Sequence, residues 1–442
     1  MKKASCKVLK FGGSSLADAG KFRKVKDIVC ADPLCRFVIP SAPGKRFPDD
    51  KKVTDMLIAC HGLAVAGNDW ESLFCEIRLR YNSIITGLGV DITLEDDYAA
   101  IRKALAQGTT RDYVASRGEY LSGKILAKLL HYTFVDAADI IKFDSEGAYD
   151  AEQTNTVASD QLCSLDNAVI PGFYGSKPDG SVKTFTRGGS DITGAIIARA
   201  VLADVYENWT DVSGFLKADP RIIENPKPIT SITYRELREL SYMGAGVLHE
   251  DSIFPVKIAG IPINIRNTNR PQDPGTMIVA SSISSGNKED VITGIAGKKG
   301  FSAINIEKDM MNQEIGFGTR VLGVFSKLGI SFEHLPSGID TMCVVVNTHT
   351  IEGHEDVIMS ELMHAVNPDS VEIENDLALI AVVGRGMIQQ PGTASRIFTA
   401  LAGAGINIRM IDQGSSELNI IIGVSGDDFT RAIKAVYKEF IK

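Results

Sequence analysis

Close cysteine pairs are missing from this chain. Its seven cysteines (Cys6, Cys30, Cys35, Cys60, Cys75, Cys163 and Cys343) include no CxxC. An odd count without paired spacing argues against both a disulfide framework and a thiolate zinc site. The seven histidines are scattered and form no HExxH, so that metal-protease signature is absent too. Basic residues are not in excess. Lys and Arg total 47 against 55 Asp and Glu, a net charge of −8, and no broad basic surface for nucleic acid or an anionic membrane is expected. Long apolar runs are lacking. GAIIARAVLADV is broken by Arg199 and Asp204, well short of the ~20 residues a spanning helix needs. Lys7 and Lys10 interrupt the N-terminal apolar run, so no signal peptide is read. A reducing cytoplasm fits these absences.

What is present is an ordinary globular composition, 44% hydrophobic and 23% charged over 442 residues. At roughly 100–200 residues per domain this length predicts two or three domains. Up to about residue 285 the chain alternates strand-like stretches (CKVLKF, RFVIPSA, NAVIPGFYG, PINIRNT) with helix-like ones (GKFRKVKDIVCA, YAAIRKALAQ, EYLSGKILAKLLHY, DITGAIIARAVLA). Such alternation predicts an α/β layered domain with an open, largely parallel sheet between helix layers, and such sheets take ligands at the carboxyl ends of their strands.

The polar stretch SSISSGNKED, Ser281 to Asp290, has linker composition. After it a repeat begins. Gly316, Gly329, Ile330 and Gly338 match Gly392, Gly405, Ile406 and Gly414 at one fixed offset. Ile304, Ile306, Val344 and Val346 match Ile380, Val382, Ile420 and Ile422 at the same offset. Each unit reads strand, glycine loop, helix, strand, strand, helix, which predicts two ferredoxin-like βαββαβ units.

Three segments have residue types suited to phosphate and carboxylate chemistry. KVLKFGGSS places two glycines and two hydroxyls after a strand. Their N–H groups suit an anion nest, with Lys10 as a point charge, though taken alone the stretch reads better as a tight strand–helix turn with a surface lysine. TRGGSDITG sets Arg187 beside a glycine pair, with Ser190 or Asp191 as a helix cap. The arginine suits a bidentate carboxylate or phosphate contact, and Asp191 could orient a lysine. WTDVSGFLKADPR carries Thr210 and Asp211 at a strand end and then Asp219-Pro220-Arg221, which fits a nucleotide or simply a polar loop. Two smaller pieces are SAPGKRFPDDKKVTD, a turn-rich loop with Ser41 and Thr54, and RGEYLSGK, where Glu119 reads as a first-turn acid. VVGRGMIQQPG contains a GxG, but its third glycine is misplaced for a dinucleotide fingerprint.

In order and spacing these segments resemble the aspartate kinases of the amino acid kinase family: KFGGSS, TRGGSDITG, TDVSGFLKADPR, and YMGAGVLHEDSI followed by INIRNTNRPQDPGTMI. The two C-terminal units resemble ACT domains. The resemblance implies an amino acid kinase domain over 1–285. It implies a first ACT unit within 291–374, whose repeat proper spans 301–374, and a second over 375–442. Strand 291–298 would be shared with the second unit. It implies transfer of phosphate from ATP with Mg²⁺ to the L-aspartate side-chain carboxylate, giving 4-phospho-L-aspartate, the first step towards lysine, threonine and methionine, with feedback control through the ACT domains. Lys10 and Asp191 would be catalytic. Lys10, Gly12, Gly13, Ser14, Thr210, Asp211 and Arg221 would line the ATP site. Ser41, Thr54, Glu119, Arg187 and Ser190 would hold aspartate, and no protein residue is assigned as a metal ligand. Met311, Gly316, Phe317, Glu333 and Ser337 fall where an amino-acid effector would bind, lysine before threonine. A homodimer or tetramer through the ACT units is implied, with no nucleic acid or membrane partner. The alternatives are another amino acid kinase or an amino-acid sensor with weak catalysis. Gly246 and Glu250 stand where many relatives have lysine and proline.

Overall fold

The computed structural model describes residues 5–186, 188–244, 253–280, 291–388 and 390–441. By compactness the chain divides into two units. The first is Met1–Phe215, Thr230–Tyr234 and Val247–Ser285, and the second is Leu216–Ile229, Arg235–Gly246 and Gly286–Lys442.

Ten strands fall in the N-terminal part: β1 Lys7–Phe11, β2 Cys35–Pro40, β3 Thr133–Phe134, β4 Ala168–Val169, β5 Tyr174–Ser176, β6 Val182–Thr184, β7 Val205–Thr210, β8 Ser231–Thr233, β9 Ile263–Asn267 and β10 Thr276–Val279. Eight of them form one sheet in the order β3-β4-β2-β1-β7-β9-β10-β8, and β5 and β6 make a separate hairpin. From β3 to β9 every pairing is parallel, and β10 turns antiparallel to β9. The inner strands β1, β2 and β7 are mostly buried on both faces, as a sheet covered by helices requires, although Lys10, Glu207 and Asn208 are polar. Those helices are α1 Ala19–Cys30, α2 Val53–Val65, α3 Glu71–Leu88, α4 Glu95–Ala106, α5 Arg111–Leu130, α6 Ala137–Ile140, α7 Ala151–Leu162, α8 Gly189–Ala200 and α10 Phe254–Ala259, whereas α9 Tyr234–Tyr242 lies in the second unit from Arg235 onward. One face of the sheet buries Leu9, Phe11 and Val38 against Phe22, Phe74, Tyr81 and Leu121.

Two local readings are corrected. Helix α8 starts at Gly189 with Gly188 as a left-handed N-cap, so Ser190 and Asp191 stand inside its first turn and neither caps it. Helix α5 starts eight residues before Glu119, with Thr110 capping through Tyr113 N–H. Glu119 is therefore a buried mid-helix residue, not a first-turn acid.

The second unit holds β11 Gly294–Glu307, β12 Phe332–His334, β13 Thr341–Asn347, β14 Ser370–Val383, β15 Met410–Asp412 and β16 Asn419–Ser425, with α11 Phe317–Lys327, α12 Glu355–Val366, α13 Thr393–Gly403 and α14 Phe429–Phe440. They form one six-stranded sheet, β12-β13-β11-β14-β16-β15. The two repeats are nested through long strands β11 and β14. Phe301–Glu307 pairs with β13, whereas Gly294–Lys299 pairs with Ala378–Val383 of the second repeat. Between these halves Gly300 turns to φ 92° at a register shift, and Asp376, at the same repeat offset, has φ 61°. Repeat residues share roles. Gly316 and Gly392 are left-handed N-caps of α11 and α13, while Ile304, Ile306, Ile380 and Val382 are fully buried.

Packing is tight where α8 crosses β7. A Cβ on Gly194 would lie 2.5 Å from the ring of buried Tyr206. Alanine normally favours a helix by about 1 kcal/mol, but overpacking costs about 1–3 kcal/mol. Gly194→Ala is therefore expected to lower the denaturant midpoint, and an unchanged or raised midpoint would show that Tyr206 yields freely.

Candidate active site

The carboxyl ends of β1 and β7 carry the first group of side chains. Lys10, 8% exposed on β1, places its Nζ 2.6 Å from Asp191 Oδ1. Asn208 on β7 donates through Nδ2 to the same oxygen at 2.8 Å. Tyr206, two residues earlier, donates its hydroxyl to the Asp191 carbonyl at 3.1 Å. A buried ammonium must be paired, and here its partner is itself oriented by a buried amide and a buried phenol.

The glycine turn follows directly. Gly12 N–H donates to Trp209 O at 3.1 Å, which ties the turn to the end of β7 beside Thr210. A Cβ on Gly12 would lie 3.7 Å from Lys10 Nζ, so this glycine leaves the ammonium open on that side. Ser14 is half-buried, and Ser15 Oγ bonds Thr268 Oγ1 at 2.7 Å. Thr210 Oγ1 donates to the exposed Asp211 at 3.2 Å.

The second group lies on the turn after β2. Ser41 N–H donates to Phe11 O at 3.0 Å. Gly118 packs so tightly on this turn that a Cβ there would come 2.7 Å from Ala42 Cβ, which brings Glu119 to the same place. Glu119 is 5% exposed and its Oε2 has no hydrogen-bond partner among the described residues. Burial pushes its carboxyl up to about 8, against the opposing pull of backbone N–H groups at Ala42 and Glu119 and of Arg117. Thr54 is the second residue of α2 and half-buried. Ser190 lies over Gly172, where a Cβ would approach its Oγ to 2.6 Å.

The two groups are joined backbone to backbone, Gly44 N–H donating to Gly13 O at 2.8 Å. Lys10, Gly12, Asp191 and Thr210 thus gather at one place, and Ser41 and Glu119 at an adjoining one. Arg221 belongs to the second unit, where its 86%-exposed side chain pairs with Asp219 at 2.6 Å. Arg187, Gly246 and Glu250 fall outside the described residues. Asn208 and Tyr206 are site residues that motif reading missed. A polar residue in the interior strand VYENW was the signal for the first, and the second shows only once α8 is packed on β7.

Comparison with known proteins converges on one group. The amino acid kinase family model matches residues 5–267, and an ACT domain model matches 380–440. Aspartokinase 3 of Bacillus subtilis is 38% identical over 98% of both chains. The chain belongs to the aspartate kinases. A crystal structure of Clostridium acetobutylicum aspartate kinase, described as an allosteric enzyme, superposes with TM-score 0.92 at 50% identity, covering 99% of each chain. Escherichia coli aspartokinase III, solved with aspartate and ADP, shares the fold at TM-score 0.71 and 24% identity, covering 99% of this chain and 100% of that one. This aspartate kinase is thus a phosphotransferase with ACT regulation, and no helix among the described residues is long and apolar enough to cross a membrane.

In the regulatory unit of the kinase, Met311 and Phe317 are core residues of the first repeat. Left-handed Gly316 (φ 80°) stands between them in the chain. Glu333 on β12 accepts a hydrogen bond from Tyr242. Ser337 bridges to Met342. Ile339 is 68% exposed, and Asp340 Oδ1 accepts from Met310 N–H at 2.9 Å.

Glu119 gives a pH prediction. A carboxyl raised when folded keeps its proton in the native state at pH values where the unfolded chain has lost it. Its contribution is most favourable below the unfolded value of 4.5 and declines as pH rises towards 8. The full swing is at most about 5 kcal/mol. Glu119→Gln is expected to flatten the fall in Tm of the ligand-free protein between about pH 5 and 8. Parallel wild-type and variant Tm curves would show that Glu119 ionises freely.

Proposed function

We propose that this kinase phosphorylates the side-chain carboxylate of L-aspartate with MgATP, giving 4-phospho-L-aspartate, a step towards lysine, threonine and methionine. The observation that carries this reading is the buried Lys10–Asp191–Asn208 cluster beside the glycine turn. Bringing a carboxylate to a triphosphate sets anion against anion, and a fixed ammonium offsets that repulsion in the transition state. A carboxylate with a reference pKa of about 3.9 is already a nucleophile at neutral pH, so no general base is required. Alignment and charge neutralisation then supply the catalysis.

In this reading Lys10 stabilises the transferring phosphoryl group, and Asp191 holds Lys10 in place. The Gly12, Gly13 and Ser14 backbone cradles the phosphates, while Thr210 and Asp211 serve the nucleotide. Ser41, Thr54, Arg187 and Ser190 hold aspartate, with Arg187 on its α-carboxylate. Glu119 takes the α-ammonium, which would draw the carboxyl into its ionised form. Asp191 Oδ1 already serves Lys10 and Asn208. That fits a Mg²⁺ bound largely by phosphate oxygens and water.

The test is purified protein with MgATP and aspartate, the acyl phosphate being trapped as its hydroxamate. Aspartate-dependent product is expected, and its absence, or faster turnover of glutamate, overturns the reading. Lys10→Ala should lower kcat by about 100-fold or more, the loss of one charge-stabilising group. Near-normal kcat would remove Lys10 from the chemistry.

For regulation, we propose an amino-acid effector at Met311, Gly316, Phe317, Glu333 and Ser337, with lysine preferred to threonine. Glu333 has the charge to pair with an amino group. Titrating lysine into the same assay should lower the rate. Rates unchanged by lysine, alone and with threonine, would refute this assignment.

A further inference from the structure

The turn between β2 and α2 carries a cationic loop, GKRFPDDKK, Gly44 to Lys52. It is held closed by a clamp. Arg80 on α3 is 6% exposed. Its Nη1 donates to Asp50 Oδ2 at 2.9 Å and to Lys51 O at 3.4 Å. Its Nη2 donates to Ala17 O at 3.3 Å and to Gly44 O. One guanidinium therefore joins the end of the glycine turn to both ends of the loop. Arg46 completes the clamp with a bidentate contact to Asp50, at 2.8 and 2.9 Å. That contact, with backbone N–H bonds and Arg80, holds the Asp50 carboxyl far below the usual range despite its desolvation.

The clamp seats the loop on the phosphate cradle. A Cβ on Gly44 would lie 2.6 Å from Gly13 C and 2.8 Å from Ser14 N, so only glycine fits there. Lys45 is the next residue. It is exposed, and the hydrogen bond described for its Nζ goes to a neutral carbonyl, Pro48 O, at 2.9 Å. A solvent-exposed lysine resting on a carbonyl gives up no opposite charge when it turns to an anion, whose Coulomb attraction the carbonyl cannot match.

We propose that Lys45 is a second cation for the transferring phosphoryl group, delivered to the glycine turn by the Arg80–Asp50 clamp. The proposal rests on the kinase reading above. In that reaction an aspartate carboxylate oxygen bonds to the γ-phosphorus while the bond from that phosphorus to the β–γ bridging oxygen breaks. ADP leaves with the electron pair and no proton moves. Lys45 stabilises charge on the group in transit, and Arg80 is a positioning residue.

The experiment compares wild type, Lys45→Ala, Lys45→Arg, Arg80→Lys and the Lys45→Ala/Arg80→Lys double variant, all as full chains. Wild-type aspartate turnover is checked first, which tests the kinase reading separately. Lys45→Ala should lower kcat by about 10- to 100-fold, a smaller loss than for a fully buried donor, with KM for aspartate and Tm little changed. Lys45→Arg should recover most of the rate. Arg80→Lys should lower kcat as well, and the double variant should lose less than the product of the two single losses, because both act through one group. Binding of ADP with aluminium fluoride, measured calorimetrically, gives a readout independent of turnover. Lys45→Ala should weaken it by about tenfold or more while leaving ADP alone unaffected, the pattern of a group that meets the transition state. Unchanged kcat and unchanged ADP–aluminium fluoride affinity in Lys45→Ala overturn the proposal. So does multiplicative loss in the double variant, which would give Arg80 a separate, purely structural role.

Discussion

A buried ammonium is the constraint around which the catalytic unit is arranged. Lys10 lies inside the sheet at the end of β1, and an unpaired charge there would cost several kcal/mol. Its partner comes from the first turn of α8, and Asn208 on the adjacent strand fixes which carboxylate oxygen serves. This requires α8 to cross β7 closely, which Gly194 against Tyr206 permits. It also requires the chain to leave β1 without covering the ammonium, which Gly12 permits. The helix start, the close crossing and the glycine turn are thus answers to one electrostatic requirement.

How far this was legible depended on whether the signal was local. The strands were readable because their apolar runs end in glycine or polar turns, and KVLKFGGSS and TRGGSD stood out because both glycines and charges are concentrated there. The repeat was readable because eight residues recur in register. Asn208 and Arg80 were not readable. Their importance comes from partners brought in by tertiary packing: Asp191 on α8 for one, and Ala17, Gly44 and Asp50 from two other segments for the other. Glu119 was misjudged for a related reason. Thr110 caps α5 a full two turns earlier, and apolar periodicity does not mark where a helix starts when its first turns are polar.

The regulatory unit shows a different economy. Two copies of a ferredoxin-like unit would normally expose four sheet edges, and open edges invite unwanted pairing. Running β11 and β14 through both copies makes one six-stranded sheet. Each long strand must then pass from one local twist to the next, and the change falls at Gly300 and Asp376. Asp376 is not a glycine, yet its left-handed backbone is supported. Its carboxylate accepts from Ser425 Oγ at 3.1 Å and Gly426 N–H at 3.2 Å. Acidic side chains that bond locally tolerate this conformation better than branched ones.

The second unit also contains chain that precedes the linker-like stretch. Helix α9 is bound there by several polar contacts: Glu236 accepts from Arg385 N–H at 3.0 Å, Glu239 accepts from Asn419 Nδ2 at 2.6 Å, and Tyr242 donates to Glu333. Leu216–Ile229 is held likewise, through Ile295 N–H to Lys217 O at 2.8 Å and Lys227 N–H to Tyr437 Oη at 2.9 Å. Tyr242 is thereby fixed to β12 within the second unit, and a ligand amine that claimed the Glu333 carboxylate would compete with Tyr242 for it.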